Sequence, residues 1–439
     1  MADIRDFATL ILDAYTTQDG KLFSELITTD VSAPSVNTLT QALFHTNEKQ
    51  VKQIMESTLE DTSYALAESM INYMELVRYL TSTDIDFVFE KFAMFYKSFT
   101  PVFNRADTFF MMPVIKTLST LLVQLAFRVD KMGLVGKACK ANTAARLVAK
   151  VFNIMLADRT PIETSKQQGI LHITNLVFKV YFKLNTVKMC QTFISNIKQS
   201  DLDLGLFPIG QQVTYRYYNG RYALYQGRLQ HAQNHLMFAF EKCHAQQWHN
   251  KRLILHYLIP IRIILGHLPT IQLLEKYQLT APYIDLMKAL RSGNIHGYLM
   301  HLETHFQYFY SHFTYLLLRE RGLVLLWRCL LYKLFMYKKS EQPNASQTLS
   351  FEECIKAFVF SSQDESFDFD DIESIMVSLG YIRGYIQHQR QYIVLSKTKP
   401  FPPISSLRAL TERYNEASIE EHLEQTQQTV PDEIMQLMT

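Results

Sequence analysis

Residues 350–396 switch from a helical to an alternating hydrophobic period, and that switch restricts this end of the chain to one small topology. Ser350 followed by Glu353 has the spacing of a capping box, in which hydroxyl and carboxylate reciprocally bind amides left free where a helix starts. Phe351, Ile355, Phe358 and Val359 then share one helical face. Asp370 and Glu373 repeat the capping spacing, and Ile372, Ile375, Met376 and Leu379 form a second apolar stripe that Gly380 ends. Beyond it, 382–387 and 392–396 are rich in β-branched and aromatic residues, and His388-Gln389-Arg390-Gln391 between them is short enough for a hairpin loop. Two short helices and a hairpin read as a winged helix whose wing is that loop.

Upstream the prevailing period is helical. Only 14 Gly and 13 Pro, against 29 Phe and 24 Tyr in 439 residues, point to long regular elements with few loops. This length is long for one core, so two or three domains are expected. Residues 1–165 carry helical segments at 64–80, 85–99 and 114–127, with breakers at Ala33-Pro34-Ser35, Thr100-Pro101 and Thr160-Pro161 and no strict repeat. Between 166 and 338 the pattern sharpens. Gly220 followed by Ala232, Leu236 and Ala239 has the small-residue spacing of a tetratricopeptide (TPR) unit, where Gly and Ala let two helices approach closely. Apolar stripes at 175–197 and 252–265 extend the array, and Pro208, Pro260, Pro269 and Pro282 fall where turns or kinks would separate helices. Residues 340–349 read as a polar linker, and the Gln- and Glu-rich stretch after Pro400, Pro402 and Pro403 as a tail with a frayed helix at 419–429.

The expected fold is mostly α: a TPR-like helical solenoid capped by a C-terminal winged helix with a small β-hairpin. Its expected divisions are N-terminal helical repeats (1–165), a helical TPR-like subdomain (166–338), a winged-helix subdomain (339–403) and a polar tail (404–439).

The formal net charge of +2 hides an uneven distribution of 44 basic and 42 acidic residues. From 351 to 373 there are eight acidic residues and one Lys, whereas 379–408 holds Arg383, Arg390, Lys397, Lys399 and Arg408 with no carboxylate. Arg328, Lys333, Lys338 and Lys339 form a second run without acids. Five Cys, at 139, 190, 243, 329 and 354, are scattered and odd in number, which fits a reducing compartment. Met1-Ala2-Asp3-Ile4-Arg5-Asp6 has acids where a secretory leader is basic and then apolar. The most hydrophobic region, 313–337, is interrupted by Arg319, Glu320, Arg321, Arg328 and Lys333, too many charges for a membrane span. A soluble, intracellular protein is expected.

The chemistry these residues offer is binding. The second helix of the winged helix reads as exposing Asp371, Glu373, Ser374 and Ser378, and carboxylates there would repel a phosphate backbone, so major-groove reading by that helix is disfavoured. The hairpin differs. Arg383, Arg390, Lys397 and Lys399, with Lys333, Lys338 and Lys339, form a basic edge suited to phosphates of RNA or of single- or double-stranded DNA, without strong sequence preference. Its alternative is an ordinary solubilising surface. Within the array, Arg216, Arg221, Arg228, Lys251 and Arg252 interleave with Tyr215, Tyr217, Tyr218 and Tyr222. Of these, Arg216, Tyr218, Arg221, Lys251 and Arg252 are candidates for holding an extended acidic peptide, since cations steer it and rings supply buried area. Alternatively the Tyr residues pack between helices and the Arg residues cap them.

Enzyme chemistry finds no foothold. Gly133-Leu134-Val135-Gly136-Lys137-Ala138 lacks the spacing and the hydroxyl of a phosphate loop. His301 and His305 lack a Glu beside the first His, and His231 and His235 lack an identifiable third metal ligand. No catalytic residue, metal, cofactor, small-molecule substrate or membrane partner is expected.

Tyr217-Tyr218-Asn219-Gly220-Arg221, Asn250-Lys251-Arg252-Leu253-Ile254-Leu255-His256-Tyr257-Leu258-Ile259-Pro260 and Gly380-Tyr381-Ile382-Arg383-Gly384-Tyr385-Ile386 resemble the PCI-domain family. So do the runs 175–185, 394–397 and 400–402, and together these segments span roughly 175–403. Within the family, the chain is most similar to the branch found in the TREX-2 messenger-RNA export complex. That resemblance implies a helical array ending in a winged helix, no catalytic activity and a nuclear location, at the nuclear pore included. It further implies assembly with a large scaffold PCI subunit and a small acidic disordered subunit, the winged-helix end forming a basic platform for nucleic acid. A purely architectural subunit of a signalosome- or proteasome-lid-like assembly is the other reading.

Overall fold

The computed structural model describes residues 2–134, 136–200, 202–341, 347–365, 369 and 372–407. Contacts divide the chain into two compact units, Met1–Tyr218 and the stretch from Asn219 onward.

The first unit contains α1 (Ala2–Thr16), α2 (Gly20–Leu26), α3 (Pro34–Phe44), α4 (Glu48–Leu59), α5 (Tyr64–Tyr79), α6 (Ile85–Asn104), α7 (Met112–Asp130), α8 (Lys140–Ala157), α9 (Ile170–Lys183) and α10 (Cys190–Gln199). Successive helices from α4 to α9 pack on one another, as expected when short loops join amphipathic hairpins. Large rings fill the core: Phe23, Tyr73, Phe89, Phe95, Tyr96, Phe99 and Phe103 are fully buried. Their polar tips are satisfied, because Tyr73 donates to Thr28 O at 2.7 Å and Tyr96 pairs with Ser119 Oγ at 2.7 Å. At the break predicted for Ala33-Pro34-Ser35, Pro34 is the first residue of α3.

Thr100-Pro101, predicted as a break, lies inside α6. Pro101 sits on the exposed face, where water can serve the acceptor its ring leaves unbonded, while buried Val102 and Phe103 hold the turn in place. The helix is closed instead by buried Lys166, whose ammonium donates to Phe103 O (2.8 Å) and Arg105 O (2.7 Å), a cation at the negative end of the helix dipole. The segment Phe109–Asp130, which includes α7, is the single helix among the described residues long and apolar enough to cross a membrane. Here it is a core helix, with Ile115, Leu118 and Leu122 buried against its neighbours.

α11 (Ile209–Tyr225) carries the chain into the second unit, followed by α12 (Leu229–Lys242), α13 (Trp248–Ile264), α14 (Ile271–Lys276), α15 (Thr280–Ser292), α16 (Ile295–Thr304), α17 (Phe306–Ser311) and α18 (Tyr315–Glu341). The predicted TPR-like approach is present. A Cβ on Gly220 would lie 2.5 Å from Leu236 Cγ and 3.3 Å from Ala232 O, and Ala232, Leu236 and Ala239 are fully buried. Pro260 lies within α13 and Pro282 in the first turns of α15, while Pro208 and Pro269 precede α11 and α14. The stretch predicted as one stripe at 175–197 is two helices, α9 and α10. α18 is 27 residues long, so it extends about 40 Å at 1.5 Å per residue. It packs on α13, α15, α16 and α17 and then on the terminal module.

That module is β1 (Thr348–Ser350), α19 (Phe351–Ser362), α20 (Ile372–Ser378), β2 (Gly384–Gln387) and β3 (Tyr392–Leu395), with all three strands antiparallel in the order β1-β3-β2. The Ser350–Glu353 capping box is formed, and Gly380 ends the second helix at φ 77°. β1 was not expected; it occupies the end of the stretch read as a linker, and α18 occupies the beginning. The Asp370 cap, residues 342–346 of the stretch read as a linker and the tail from 408 lie outside the described residues. The result is a helical solenoid-like protein with a small terminal sheet, the fold class expected.

Candidate nucleic-acid interface

Strand alternation builds the ribbon. Leu349, Ile393 and Leu395 point inward, each at most 3% exposed, and Cys354, Phe358 and Met376 of the two helices are fully buried as well. Register then sets which residues face out. Tyr385 opposes Val394 and Gln387 opposes Tyr392, and both Tyr residues are exposed. The four hairpin cations predicted from sequence, Arg383, Arg390, Lys397 and Lys399, are all exposed. Ser396 N donates to Arg383 O at 2.8 Å and Arg383 N to Pro400 O at 2.8 Å, which brings Arg383 beside the Lys397–Lys399 turn at the open end of the hairpin. Arg390 stands in the loop at the other end, held by Gln391 in the left-handed conformation. With four residues of strand between, the two charged ends are roughly 13 Å apart. Among the described residues, no carboxylate forms an ion pair with any of the four.

The second basic run behaves differently. Arg328 donates to Pro402 O at 2.8 Å and has Phe401 beside it, and Lys333 donates to Ser292 O at 3.1 Å. Lys338 lies 2.9 Å from both oxygens of Glu353. These side chains fasten α18 to its neighbours, and Lys338 is half-buried in doing so. Lys339 is exposed. Two expectations for the helices are corrected. Glu373, read as outward, is 1% exposed, and Ile355, read as core, is 39% exposed while Cys354 beside it is fully buried. Ser361 joins the module to the array: it donates to Gly293 O and accepts from Ile295 N at 2.9 Å.

Among the candidates for peptide binding, Arg216 and Tyr218 belong to the first unit, where Tyr218 packs on Phe178 and Phe182 and Tyr215 stacks on Phe178. Arg221, Lys251 and Arg252 belong to the second. The Arg221 guanidinium lies 4.7 Å over the Tyr257 ring, Arg252 lies 5.6 Å over Trp248, and Lys251 lies 4.6 Å over Phe240 and donates to Phe240 O at 2.7 Å. All five are half-buried, so packing absorbs part of each side chain.

The second unit also holds a buried imidazole. His256 bonds the Tyr308 hydroxyl at 2.7 Å and stacks on His312 at 4.1 Å. Burial, with His312, Arg252 and His249 nearby, pushes its pKa down to about 3. A neutral folded imidazole with an ordinary unfolded one stabilises fully above the unfolded pKa, and that stability is lost as pH falls from about 6.5 toward 3. The second unit is therefore expected to lose about 2 kcal/mol by pH 5. Urea midpoints measured against pH check this: His256→Gln should flatten the profile between pH 6.5 and 4, and an unchanged slope would rule out His256 as its source.

Two of the motifs set aside as catalytic lie among structural hydrogen bonds. Asp130 accepts from the amides of Lys140 (2.6 Å) and Ala141 (3.1 Å), so a carboxylate already occupies the helix start beside the 133–138 stretch, of which Val135 and the Lys137 side chain lie outside the described residues. His301 bonds Pro282 O at 2.9 Å. Among the described residues, no group of three or more His, Cys, Asp or Glu side chains is placed to hold a metal, and all five cysteines are free thiols.

No family model matches the chain. It is 32% identical over 418 residues to a PCI domain-containing protein of Schizosaccharomyces pombe, covering 91% of this chain and 94% of that one. PCI domain-containing protein 2 of Xenopus laevis is 35% identical over 268 residues, 60% of this chain and 65% of its own length. A Neurospora crassa protein named CSN12 homolog is 32% identical over 277 residues, 60% and 61% of the two lengths. Identity sustained across nearly the whole of two chains, together with a helical array that ends in a small three-stranded module, makes this chain a member of the PCI-domain family.

Proposed function

We propose that this protein is a non-enzymatic PCI subunit of a TREX-2-type complex, working in the nucleus and at its pores in messenger-RNA export. In it, 166–338 is the helical PCI subdomain and 339–403 the winged-helix subdomain. It binds a large scaffold PCI subunit, holds a small acidic disordered subunit along Arg216, Tyr218, Arg221, Lys251 and Arg252, and contacts RNA or DNA through the hairpin. One observation carries the nucleic-acid part: Arg383, Arg390, Lys397 and Lys399 are exposed at the two ends of one ribbon with no ion-pair partner among the described residues. Cations so placed neutralise phosphates and add little to the fold.

A second reading, an architectural subunit of a signalosome-type assembly without nucleic-acid contact, is favoured by the name of the Neurospora relative and by the structural use of Arg328, Lys333 and Lys338. Purification of the tagged full chain from nuclear extract separates the two. The export reading expects a large PCI scaffold to co-elute and the eluate to bind RNA with steep salt dependence. Signalosome components and no RNA binding would overturn it.

A further inference from the structure

The hairpin offers more than charge. Its outward face carries Tyr385 and Tyr392, 58% and 39% exposed; on the opposite face β3 buries Ile393 and Leu395, and β2 places half-buried Ile386. They sit diagonally, Tyr385 toward the end holding Arg383, Lys397 and Lys399, and Tyr392 toward the loop holding Arg390. Diagonal neighbours on one face of an antiparallel pair are about 7–8 Å apart. Two rings thus stand between two positive ends roughly 13 Å apart, about the length of four stacked nucleotides at 3.4 Å each.

We propose that this face is a stacking platform for single-stranded nucleic acid, Tyr385 and Tyr392 each holding a base while the flanking cations hold the backbone. The proposal rests on the nucleic-acid reading above and deepens it by naming the strandedness of the ligand. The argument turns on what a duplex can present. Phosphates are available in single and double strands alike, so cations do not distinguish them. Base faces are available only where bases are unstacked, so an exposed ring selects the single strand and tolerates any sequence. The occupant is a polyanion because four exposed cations flank the rings and none of them forms an ion pair among the described residues.

The test uses the full chain with its co-purified partners and two fluorescent probes, a short oligothymidylate and a duplex of equal length. Thr replaces Tyr because it suits a strand while offering no ring. Tyr385→Thr with Tyr392→Thr should weaken oligothymidylate binding about tenfold or more, leave duplex binding and both salt slopes within twofold, and Tyr385→Phe with Tyr392→Phe should bind as the unmodified chain does. Unchanged oligothymidylate binding in the Thr pair would overturn the platform while leaving the basic edge standing. Equal losses on both probes would overturn it too, since the rings would then act by shaping the hairpin. So would retained binding accompanied by loss of a protein subunit, which would make the face a protein contact. If the unmodified chain binds neither probe, the underlying reading falls and takes the platform with it.

Discussion

Exchange of Arg383, Arg390, Lys397 and Lys399 for Glu is expected to remove nearly all salt sensitivity from nucleic-acid binding. If each cation neutralises one phosphate of a single strand, the four together contribute a slope of about −2.8 to log affinity against log salt. The unmodified protein should then lose roughly fiftyfold in affinity between 50 and 200 mM salt, and the variant should bind weakly at both. Anisotropy titrations across that range read the result. A variant that keeps both affinity and slope would show these four side chains to be a solubilising surface. The comparison that sharpens the experiment is Lys338→Ala. Its ammonium is already paired with Glu353 at 2.9 Å, so its loss should leave the slope unchanged. Because the four hairpin side chains are exposed, their replacement should also leave the thermal midpoint within a few degrees.

The contrast between these two basic runs marks where sequence ceases to inform. Both looked unopposed because charge along a chain displays only near neighbours. The Lys338–Glu353 pair spans fifteen positions and the Arg328–Pro402 bond seventy-four, so those contacts exist only once α18 and the terminal module have packed. The helical period, the Ser350 cap, the Gly220 approach and the hairpin were legible because each is local or repeats in type. β1 escaped notice because three residues are too few for a period, and only pairing with β3 makes them a strand. Ile355 and Glu373 were misplaced for a related reason. A helical stripe can be rotated by one position without changing its apolar content, and the core accepted Cys354 in place of Ile355. The outward Tyr pair was available from alternation within 384–387 and 392–395, but β-propensity alone accounts for Tyr in strands and drew no attention to it.

Gly322→Ala is expected to destabilise the second unit by about 3 kcal/mol, although helix propensity alone predicts a gain of about 1 kcal/mol. Gly322 lies within α18, where that helix meets Tyr298 of α16. A Cβ there would fall far inside contact distance of the Tyr298 hydroxyl and 2.9 Å from its Cζ. Tyr298 cannot retreat cheaply. It is fully buried, and its hydroxyl donates to Leu318 O at 2.8 Å. Overpacking and the lost bond to a buried carbonyl therefore outweigh the propensity term. Tyr298→Phe alone should cost about 1–2 kcal/mol, but combined with Gly322→Ala it removes the nearer of the two clashing atoms, so the double variant should be more stable than the sum of the two losses. Urea midpoints of the four proteins decide it, and simple additivity would show that the two residues do not collide. The same geometry ties this helix crossing to the terminal module. Arg328 and Lys338 lie further along α18 and hold the terminal module through Pro402 O and Glu353. Gly322→Ala should accordingly raise amide exchange in Phe351–Ser362 and Tyr392–Leu395, whereas charge reversal on the ribbon should not. Binding lost through a loosened α18 can thus be told from binding lost at the contact itself.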